Sequence, residues 1–130
     1  MKKQQSVIFA GDYAYIRQIE TAIKSICRHN SHLKIYVLNQ DIPQEWFMNI
    51  RTYIQQMGGN LIDCKVIGAK YKMNWTNQLL HINHMTFARY FIPDFVEEDK
   101  VLYLDSDLVV TGDFSQLFEI ELEENYLAAA

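Results

Sequence analysis

The sequence lacks the features that mark several common classes of protein. It contains only two cysteines, and Cys27 and Cys64 lie far apart without the spacing of metal ligands. We therefore expect both to be reduced residues of the core. The four histidines do not form a His-Glu-x-x-His pattern, so a zinc site of that kind is not predicted.

A clustered basic stripe and a long apolar run are also missing. The chain has 12 Lys and Arg against 16 Asp and Glu, a net charge of -4, so nucleic acid is not an expected partner. No apolar run approaches the ~20 residues of a transmembrane helix, and no signal-peptide core follows Met1-Lys2-Lys3. We expect a cytoplasmic protein without a transmembrane segment. Any peripheral contact with a membrane would be made by parts of the protein beyond residue 130.

The composition and the apolar pattern predict one globular α/β domain. Hydrophobic residues make up 49% of the chain, which favours a packed core. Short apolar runs alternate with segments of helical period, without a repeat or a low-complexity linker, and this pattern predicts a parallel sheet. Strands are predicted at 7–10, 34–38, 61–67 and 100–104, and a small-residue strand begins at 126. Helices are predicted at 16–27, 43–57, 82–91 and 113–118. Pro43 is expected in the first turn of the second helix, whose apolar face would be Trp46, Phe47, Ile50, Ile54 and Met57.

Two carboxylates set into the apolar run 101–110 are the main candidate site. In an extended segment Asp105 and Asp107 would lie on one face, roughly 6.5 Å apart, with Ser106 pointing away. At an effective dielectric near 20 they would repel by roughly 2 to 3 kcal/mol. A divalent cation reverses that sign, and hard oxygen ligands suit Mg²⁺ or Mn²⁺. Without a cation, one aspartate would cap a turn and the other would face solvent.

Three motif families compete for this pair. An EF-hand is excluded because Val109 and Val110 stand where a calcium loop needs an oxygen ligand and a glycine. A Mg²⁺-dependent phosphohydrolase of the haloacid-dehalogenase type, with Asp105 as nucleophile and Asp107 as acid/base, fits the string. However, its motif normally follows the first strand of its domain. The third family is the Asp-x-Asp of nucleotide-sugar glycosyltransferases, which the rest of the chain favours.

The predicted sheet brings a second loop to the same edge. Ligands of open α/β sheets bind at the carboxyl ends of the strands, where the strand order switches. The fourth strand delivers Asp105 and Asp107 to that end, and Gly11 and Asp12 follow the first strand. All four can therefore line one crevice.

Five motifs, in order along the chain, carry a family resemblance. They are Phe9-Ala10-Gly11-Asp12 with Tyr15, Lys24-Ser25, Thr86-Phe87-Ala88-Arg89, the stretch 100–107, and Leu127-Ala128-Ala129-Ala130. With these motifs the chain resembles glycosyltransferase family 8, retaining enzymes that include bacterial galactosyl- and glucosyltransferases. The resemblance implies a GT-A fold, a Rossmann-like and mostly parallel sheet with helices on both faces. Residues 1–130 would be its N-terminal, nucleotide-sugar-binding part, truncated on the C-terminal side.

The resemblance also implies roles for individual residues. The implied donor-binding residues are Ala10, Gly11, Asp12, Tyr15, Arg89, Asp105, Ser106 and Asp107. Among them, Ala10 and Asp12 would hold the uracil and ribose edge, Tyr15 would stack on the base, and Arg89 would reach the sugar or diphosphate. Asp105 and Asp107 would bind Mn²⁺ or Mg²⁺, and His81 would face the acceptor. Ala14 departs from the family, where many members have Asn.

The implied activity is metal-dependent transfer of glucose or galactose from a UDP-sugar to a glycan, glycoprotein or polysaccharide acceptor. The family's further acidic residue, its Asp-Gln segment and a distant metal-binding His would follow residue 130, so the catalytic residues are not assigned. We expect the 130-residue chain to bind the donor but to be incomplete for catalysis. A non-catalytic nucleotide-binding module is the alternative outside the enzymes.

Overall fold

The computed structural model describes residues 4–66, 95–96, 98, 100–104, 108–114 and 118. The four strands are β1 (Gln5–Ala10), β2 (Leu33–Asn39), β3 (Asn60–Lys65) and β4 (Leu102–Tyr103). A 3-10 turn, Tyr13–Tyr15, precedes helix α1 (Ile16–His29), and helix α2 (Gln44–Gln56) links β2 to β3. Among the described residues these elements follow the predicted order. No helix in this part of the chain has the length and hydropathy needed to cross a membrane.

The sheet formed by the described residues is parallel, as predicted, and β1 has a neighbouring strand on each side. The strand order is β3-β2-β1-β4. Val7 of β1 pairs with Ile35 of β2 on one side and with Leu102 of β4 on the other. The chain thus moves outward from β1 to β3 and then returns to the opposite side of β1. The strand order therefore switches between β1 and β4.

Two apolar clusters cover the two faces of the sheet. Val7 and Phe9 of β1 are fully buried on the face where α1 and α2 pack. Ile8, between them, faces the opposite side, where Tyr36 and Phe95 belong to the same cluster. This alternation follows from the period of two along a strand. Burial of each large apolar side chain contributes about 1.5 to 3 kcal/mol, so both faces stabilise the sheet.

The apolar face predicted for the first helix is confirmed. Its buried residues are Ile19, Ala22, Ile23, Ile26 and Cys27. Burial raises the pKa of the Cys27 thiol to about 11 and that of the Cys64 thiol to about 12. Both are free cysteines held in the neutral form at ordinary pH, as expected for core residues.

Two details predicted for the second helix are wrong. Pro43 is the N-cap, with an extended backbone (φ -68°, ψ 151°), and not a first-turn residue, because the cap residue lies outside the helical dihedrals. Met57 follows the last helical residue and is 39% exposed, so it does not belong to the buried face. Trp46 is half-buried, and Phe47, Ile50 and Ile54 are buried as predicted.

The end of this helix requires glycine. Gly58 has φ +78°, and its N–H donates to the Gln55 carbonyl at 3.0 Å while the Gly59 N–H donates to the Ile54 carbonyl at 3.1 Å. A Cβ on Gly59 would lie 2.4 Å from the Leu33 carbonyl oxygen. The predicted end of the helix at Gly58-Gly59 is therefore confirmed. Gly58 adopts a left-handed backbone conformation, and Gly59 allows the close approach of the Leu33 backbone.

Several predicted elements lie wholly or largely outside the described residues. They are the helix at 82–91 and the strand that begins at 126, and residues 115–117, half of the helix predicted at 113–118, lie outside them as well. The predicted end of the third strand at 67 also lies outside them, and β3 itself ends at Lys65.

A polar cluster ties the segment before β4 to the sheet. The Lys34 ammonium donates to Glu98 Oε1 and the Tyr36 hydroxyl donates to Glu98 Oε2, both at 2.8 Å. Partial burial alone would raise the pKa of Glu98, but these two hydrogen bonds more than offset it and lower that pKa from 4.5 to about 2. The hydrogen bond with Glu98 also raises the pKa of Lys34. The ionised carboxylate is thus stabilised in the folded state.

We expect Glu98→Gln to lower the free energy of unfolding by about 1 to 2 kcal/mol at pH 7, because a charge-assisted hydrogen bond and an ion pair are lost. A carboxyl group whose pKa is lower in the folded state stabilises the protein above its unfolded pKa. The difference between wild type and variant should therefore be constant around neutral pH and shrink as the pH falls from 4.5 toward 2. Urea denaturation across this range measures it.

The matched control is Glu20→Gln, which removes the exposed Glu20–Lys24 pair of helix α1. Such surface pairs contribute about 0 to 1 kcal/mol, so this change should be nearly neutral. Equal losses in the two variants, or a Glu98 effect that persists unchanged to about pH 2, would contradict this account of the cluster.

Candidate functional site

The carboxyl ends of β1 and β4 meet at the switch in strand order. The Leu104 N–H donates to the Ile8 carbonyl at 3.0 Å, which extends the pairing of β4 with β1. On the other side, the Gly11 N–H donates to the Leu38 carbonyl at 3.0 Å. Asp105 follows Leu104 directly in sequence, and Asp12 follows Gly11. The predicted convergence of these two chain segments at one edge is therefore confirmed as far as Leu104.

The structure places four of the predicted donor-binding residues. Ala10 ends β1, Gly11 is buried, Asp12 is half-buried, and Tyr15 closes the 3-10 turn with 43% of its surface exposed. The other four donor-binding residues, and the residue predicted to face the acceptor, His81, lie outside the described residues and stay predictions. The four donor-binding residues are Arg89, Asp105, Ser106 and Asp107.

The turn after β1 is held by a neighbouring loop. Asp12 occupies the N-cap position of the 3-10 turn, yet its carboxylate makes no capping hydrogen bond. Instead, Asp12 Oδ1 accepts the Gln40 N–H at 3.1 Å, and Asp41 Oδ1 accepts the Tyr13 N–H at 2.8 Å. We call these two reciprocal hydrogen bonds the loop clasp. It joins the β1–α1 loop to the β2–α2 loop.

The buried side-chain amide of Asn39 fixes the β2–α2 loop. Asn39 is fully buried, and its Nδ2 donates to the Val37 carbonyl at 3.0 Å and to Asp63 Oδ1 at 2.8 Å. Its Oδ1 accepts the Ile42 N–H at 3.1 Å and a hydrogen bond from the Lys65 ammonium. Both N–H groups and both acceptor sites of this side-chain amide are used, which compensates its burial.

Helix α1 holds the segment that follows the two aspartates. The Val110 N–H donates to Ser25 Oγ at 2.8 Å. Asn30, which is 5% exposed, accepts the Phe114 N–H at 3.0 Å and donates to the Gly112 carbonyl at 3.2 Å. The stretch 105–107 is therefore flanked on both sides by chain that is hydrogen-bonded to β1 or to α1.

Sequence reasoning missed three residues of this edge: Asn30, Gln40 and Asp41. A signal was present, because polar side chains directly after a strand or at a helix end commonly bind backbone groups of loops. The partners could not be identified, since each of them is distant in sequence.

The metal prediction concerns Asp105 and Asp107, which lie outside the described residues. Within the described ranges, no group of three or more His, Cys, Asp or Glu side chains could hold a metal ion. The two carboxylates fit a hard divalent cation in their chemistry, and Leu104 and Val110 hold the chain on either side of them. The metal site stays a prediction.

Comparison with known proteins agrees with this fold. The model of glycosyl transferase family 8 matches residues 6–130. Glycosyltransferase GlyE of Streptococcus pneumoniae serotype 4 (strain ATCC BAA-334 / TIGR4) is 77% identical over 127 residues, which are 98% of this chain and 31% of GlyE. The chain thus spans about a third of the length of this relative.

Solved structures agree as well. A crystal structure of GlyE superposes with a TM-score of 0.86 at 70% identity, covering 99% of this chain and 30% of that one. The galactosyltransferase LgtC, in complex with donor and acceptor sugar analogs, superposes with a TM-score of 0.77 over 93% of this chain and 44% of its own. At 24% identity LgtC supports the fold alone.

These similarities confirm the predicted GT-A fold and give no support to a phosphohydrolase of the haloacid-dehalogenase type. The family match covers nearly the whole sequence, and the motif Phe9-Ala10-Gly11-Asp12 lies at the carboxyl end of β1, beside β4. The chain belongs to glycosyl transferase family 8.

Proposed function

We propose that the protein is a metal-dependent, retaining hexosyltransferase that moves glucose or galactose from a UDP-sugar to a glycan, glycoprotein or polysaccharide acceptor. One observation supports the proposal: β4 pairs with β1, and Leu104, the residue before the Asp-x-Asp segment, donates its N–H to Ile8 of the strand that leads to Asp12 and Tyr15. The LgtC structure, with donor and acceptor sugar analogs, gives the same fold in a protein that binds both kinds of sugar.

The loop after β1 would bind the nucleoside. Tyr15 is 43% exposed at the end of a short turn, where its ring is accessible to a flat aromatic ligand. Asp12 is half-buried and has one carboxylate oxygen oriented by the Gln40 N–H. It could accept hydrogen bonds from the ribose or the uracil, and Ala10 and Gly11 would bring the backbone close to the base.

The loop after β4 would bind the diphosphate. Asp105 and Asp107 would hold Mn²⁺ or Mg²⁺, and a bound ion would stabilise the charge that develops on the departing UDP. Ser106 and Arg89 would complete the contacts to the donor, Arg89 through its guanidinium group. His81 would face the acceptor. In the transfer, the bond from the anomeric carbon to UDP breaks, and a bond to the acceptor oxygen forms as that oxygen loses its proton.

We expect Tyr15→Ala to weaken UDP binding by roughly ten- to a hundredfold, since stacking on an aromatic side chain contributes about 1 to 3 kcal/mol in nucleic-acid systems. Isothermal titration calorimetry with UDP and Mn²⁺ measures the loss. Tyr15→Phe keeps the ring and should bind like the wild type. If alanine is tolerated as well as phenylalanine, Tyr15 does not contact the base.

We expect Asp107→Asn to abolish the Mn²⁺-dependent part of UDP binding, because it removes one of two charged ligands of a divalent cation. Titration of the full-length protein with UDP, with Mn²⁺ and then with a chelator, separates the metal-dependent part. Glu20→Gln removes one exposed carboxylate from helix α1 and serves as the charge control. Undiminished metal dependence in the Asp107 variant would exclude Asp107 as a ligand.

The transferase and the non-catalytic module differ in turnover. We expect the full-length protein to release UDP from UDP-glucose or UDP-galactose, and residues 1–130 alone to bind UDP weakly without turnover. A coupled assay for released UDP follows both. Tight UDP binding with no release by the full-length protein, with either sugar and Mn²⁺, would favour the nucleotide-binding module.

A further inference from the structure

In the loop clasp, each of the two aspartates binds a backbone N–H of the other loop. Aspartate at an N-cap commonly accepts an N–H of the first turn that follows it. Asp12 occupies this position before Tyr13–Tyr15 but accepts the Gln40 N–H instead. The first N–H of the turn, that of Tyr13, is accepted by Asp41, which is 28 residues away in sequence. Asp41 thus caps a turn that belongs to another loop.

In this exchange Asp12 binds the β2–α2 loop while its own turn is capped by Asp41. A short 3-10 turn has poor internal hydrogen bonds, and within this one the Tyr15 N–H donates to the Asp12 carbonyl at 2.9 Å. If the N–H at its start had no acceptor, fewer hydrogen bonds would fix the orientation of the turn. The Asp41 carboxylate, at 2.8 Å from the Tyr13 nitrogen, supplies a charge-assisted hydrogen bond at that point.

The loop that carries Asp41 is itself rigidly placed. The fully buried Asn39 receives the Ile42 N–H, and the Lys65 ammonium donates to the Ile42 carbonyl at 2.7 Å. The Val66 N–H also donates to the Asn39 carbonyl at 2.8 Å. Asp41 lies between Asn39 and Ile42, so its backbone is fixed to β2 and β3. The clasp therefore ties the exposed turn to the centre of the sheet.

We propose that Asp41 is a positioning residue for the donor nucleotide: it holds the Tyr13 N–H and thereby fixes the turn from which Tyr15 meets the base. The inference rests on the proposed function, because it assigns Asp41 an effect on nucleotide affinity that is exerted through Tyr15. Asp41 does not itself contact the nucleotide in this arrangement. It orients a ring that would otherwise have to be ordered when the ligand binds.

The first test compares three variants of the full-length protein by calorimetry with UDP and Mn²⁺. Asp41→Ala should weaken UDP binding by about five- to twentyfold, since it removes an exposed charge-assisted hydrogen bond at the start of the turn. Asp41→Asn keeps an acceptor oxygen of the same reach and should bind within about threefold of the wild type. Glu45→Gln, which neutralises an exposed acid in the first turn of α2, should bind like the wild type.

The second test removes the same hydrogen bond from its donor side. Tyr13→Pro deletes the N–H, and proline is compatible with the first position of a helical turn that follows the extended Asp12 backbone (φ -102°, ψ -177°). Tyr13→Ala removes the same ring but keeps the N–H. We expect Tyr13→Pro to weaken UDP several-fold more than Tyr13→Ala. This pair tests the inference even if Asp41→Ala does not fold.

The third test shows whether Asp41 acts through Tyr15. In a double-mutant cycle, Asp41→Ala should weaken UDP binding by less than about twofold when Tyr15 is already alanine, because the ring that Asp41 orients is gone. A role in stability alone would give the same fold loss in both backgrounds, which would overturn the inference. In kinetics with a UDP-sugar, Asp41→Ala should raise the donor KM with little change in kcat, as expected for loss of uniform binding.

The inference and the proposed function fail in different ways. If Tyr15→Ala weakens UDP while Asp41→Ala and Tyr13→Pro match their controls, the positioning role of Asp41 is wrong and the donor site stands. If Tyr15→Ala has no effect on UDP affinity, base stacking is wrong, and the inference that depends on it falls with it.

Discussion

The parallel pairing of β1 with both β2 and β4 is the constraint on which the rest of the structure depends. A parallel pair requires a crossover connection, so the residues that end the strands collect at one edge and the helices cover the faces. Because β1 has a neighbour on each side, the loop after it lies between the loop after β2 and the chain that leaves β4. The clasp to Asp41 and the approach of Leu104 to Ile8 are both consequences of this one arrangement.

Two buried amide side chains fix the loops at this edge by binding their backbone groups. Asn39 and Asn30 are almost fully buried, and each binds backbone groups of a segment next to the candidate site. A buried amide without partners would destabilise the fold by a few kcal/mol, so these side chains favour one loop conformation over the alternatives. Loops at the edge of a sheet are otherwise the parts of a domain that are most free to vary. The candidate site is therefore built on loops, but on loops bound to the core.

This construction is consistent with what a nucleotide-sugar site requires. The base, the diphosphate and the sugar of a donor together span more than one loop, and the binding free energy is greatest when the loops are ordered before the ligand arrives. The turn Tyr13–Tyr15 has little apolar burial of its own and depends on polar contacts for its order. The family assignment gives the class of chemistry, whereas the loop clasp would order the turn Tyr13–Tyr15 before the ligand binds.

Much of this protein followed from the sequence alone, because the relevant patterns are local. The period of two in β1 and the period of 3.6 in α1 identify the elements and their buried faces, and Gly58-Gly59 marks the end of α2 by its backbone requirements. The Pro43 and Met57 predictions failed at a helix boundary, where period gives the least information.

The motif around Asp12 and Tyr15 was equally visible in sequence, but the partner of each polar group was not. Only the register of β1 on β2, which sets Ala10 beside Leu38, brings Asp12 to Gln40 and Tyr13 to Asp41. A hydrogen bond between residues 28 positions apart has no local signature, because it depends on how two strands align. The sequence therefore identified Asp12 and Tyr15 as candidates through a local motif, and the tertiary structure decided that Asp12 binds the Gln40 N–H and Asp41 the Tyr13 N–H, because both contacts depend on strand register.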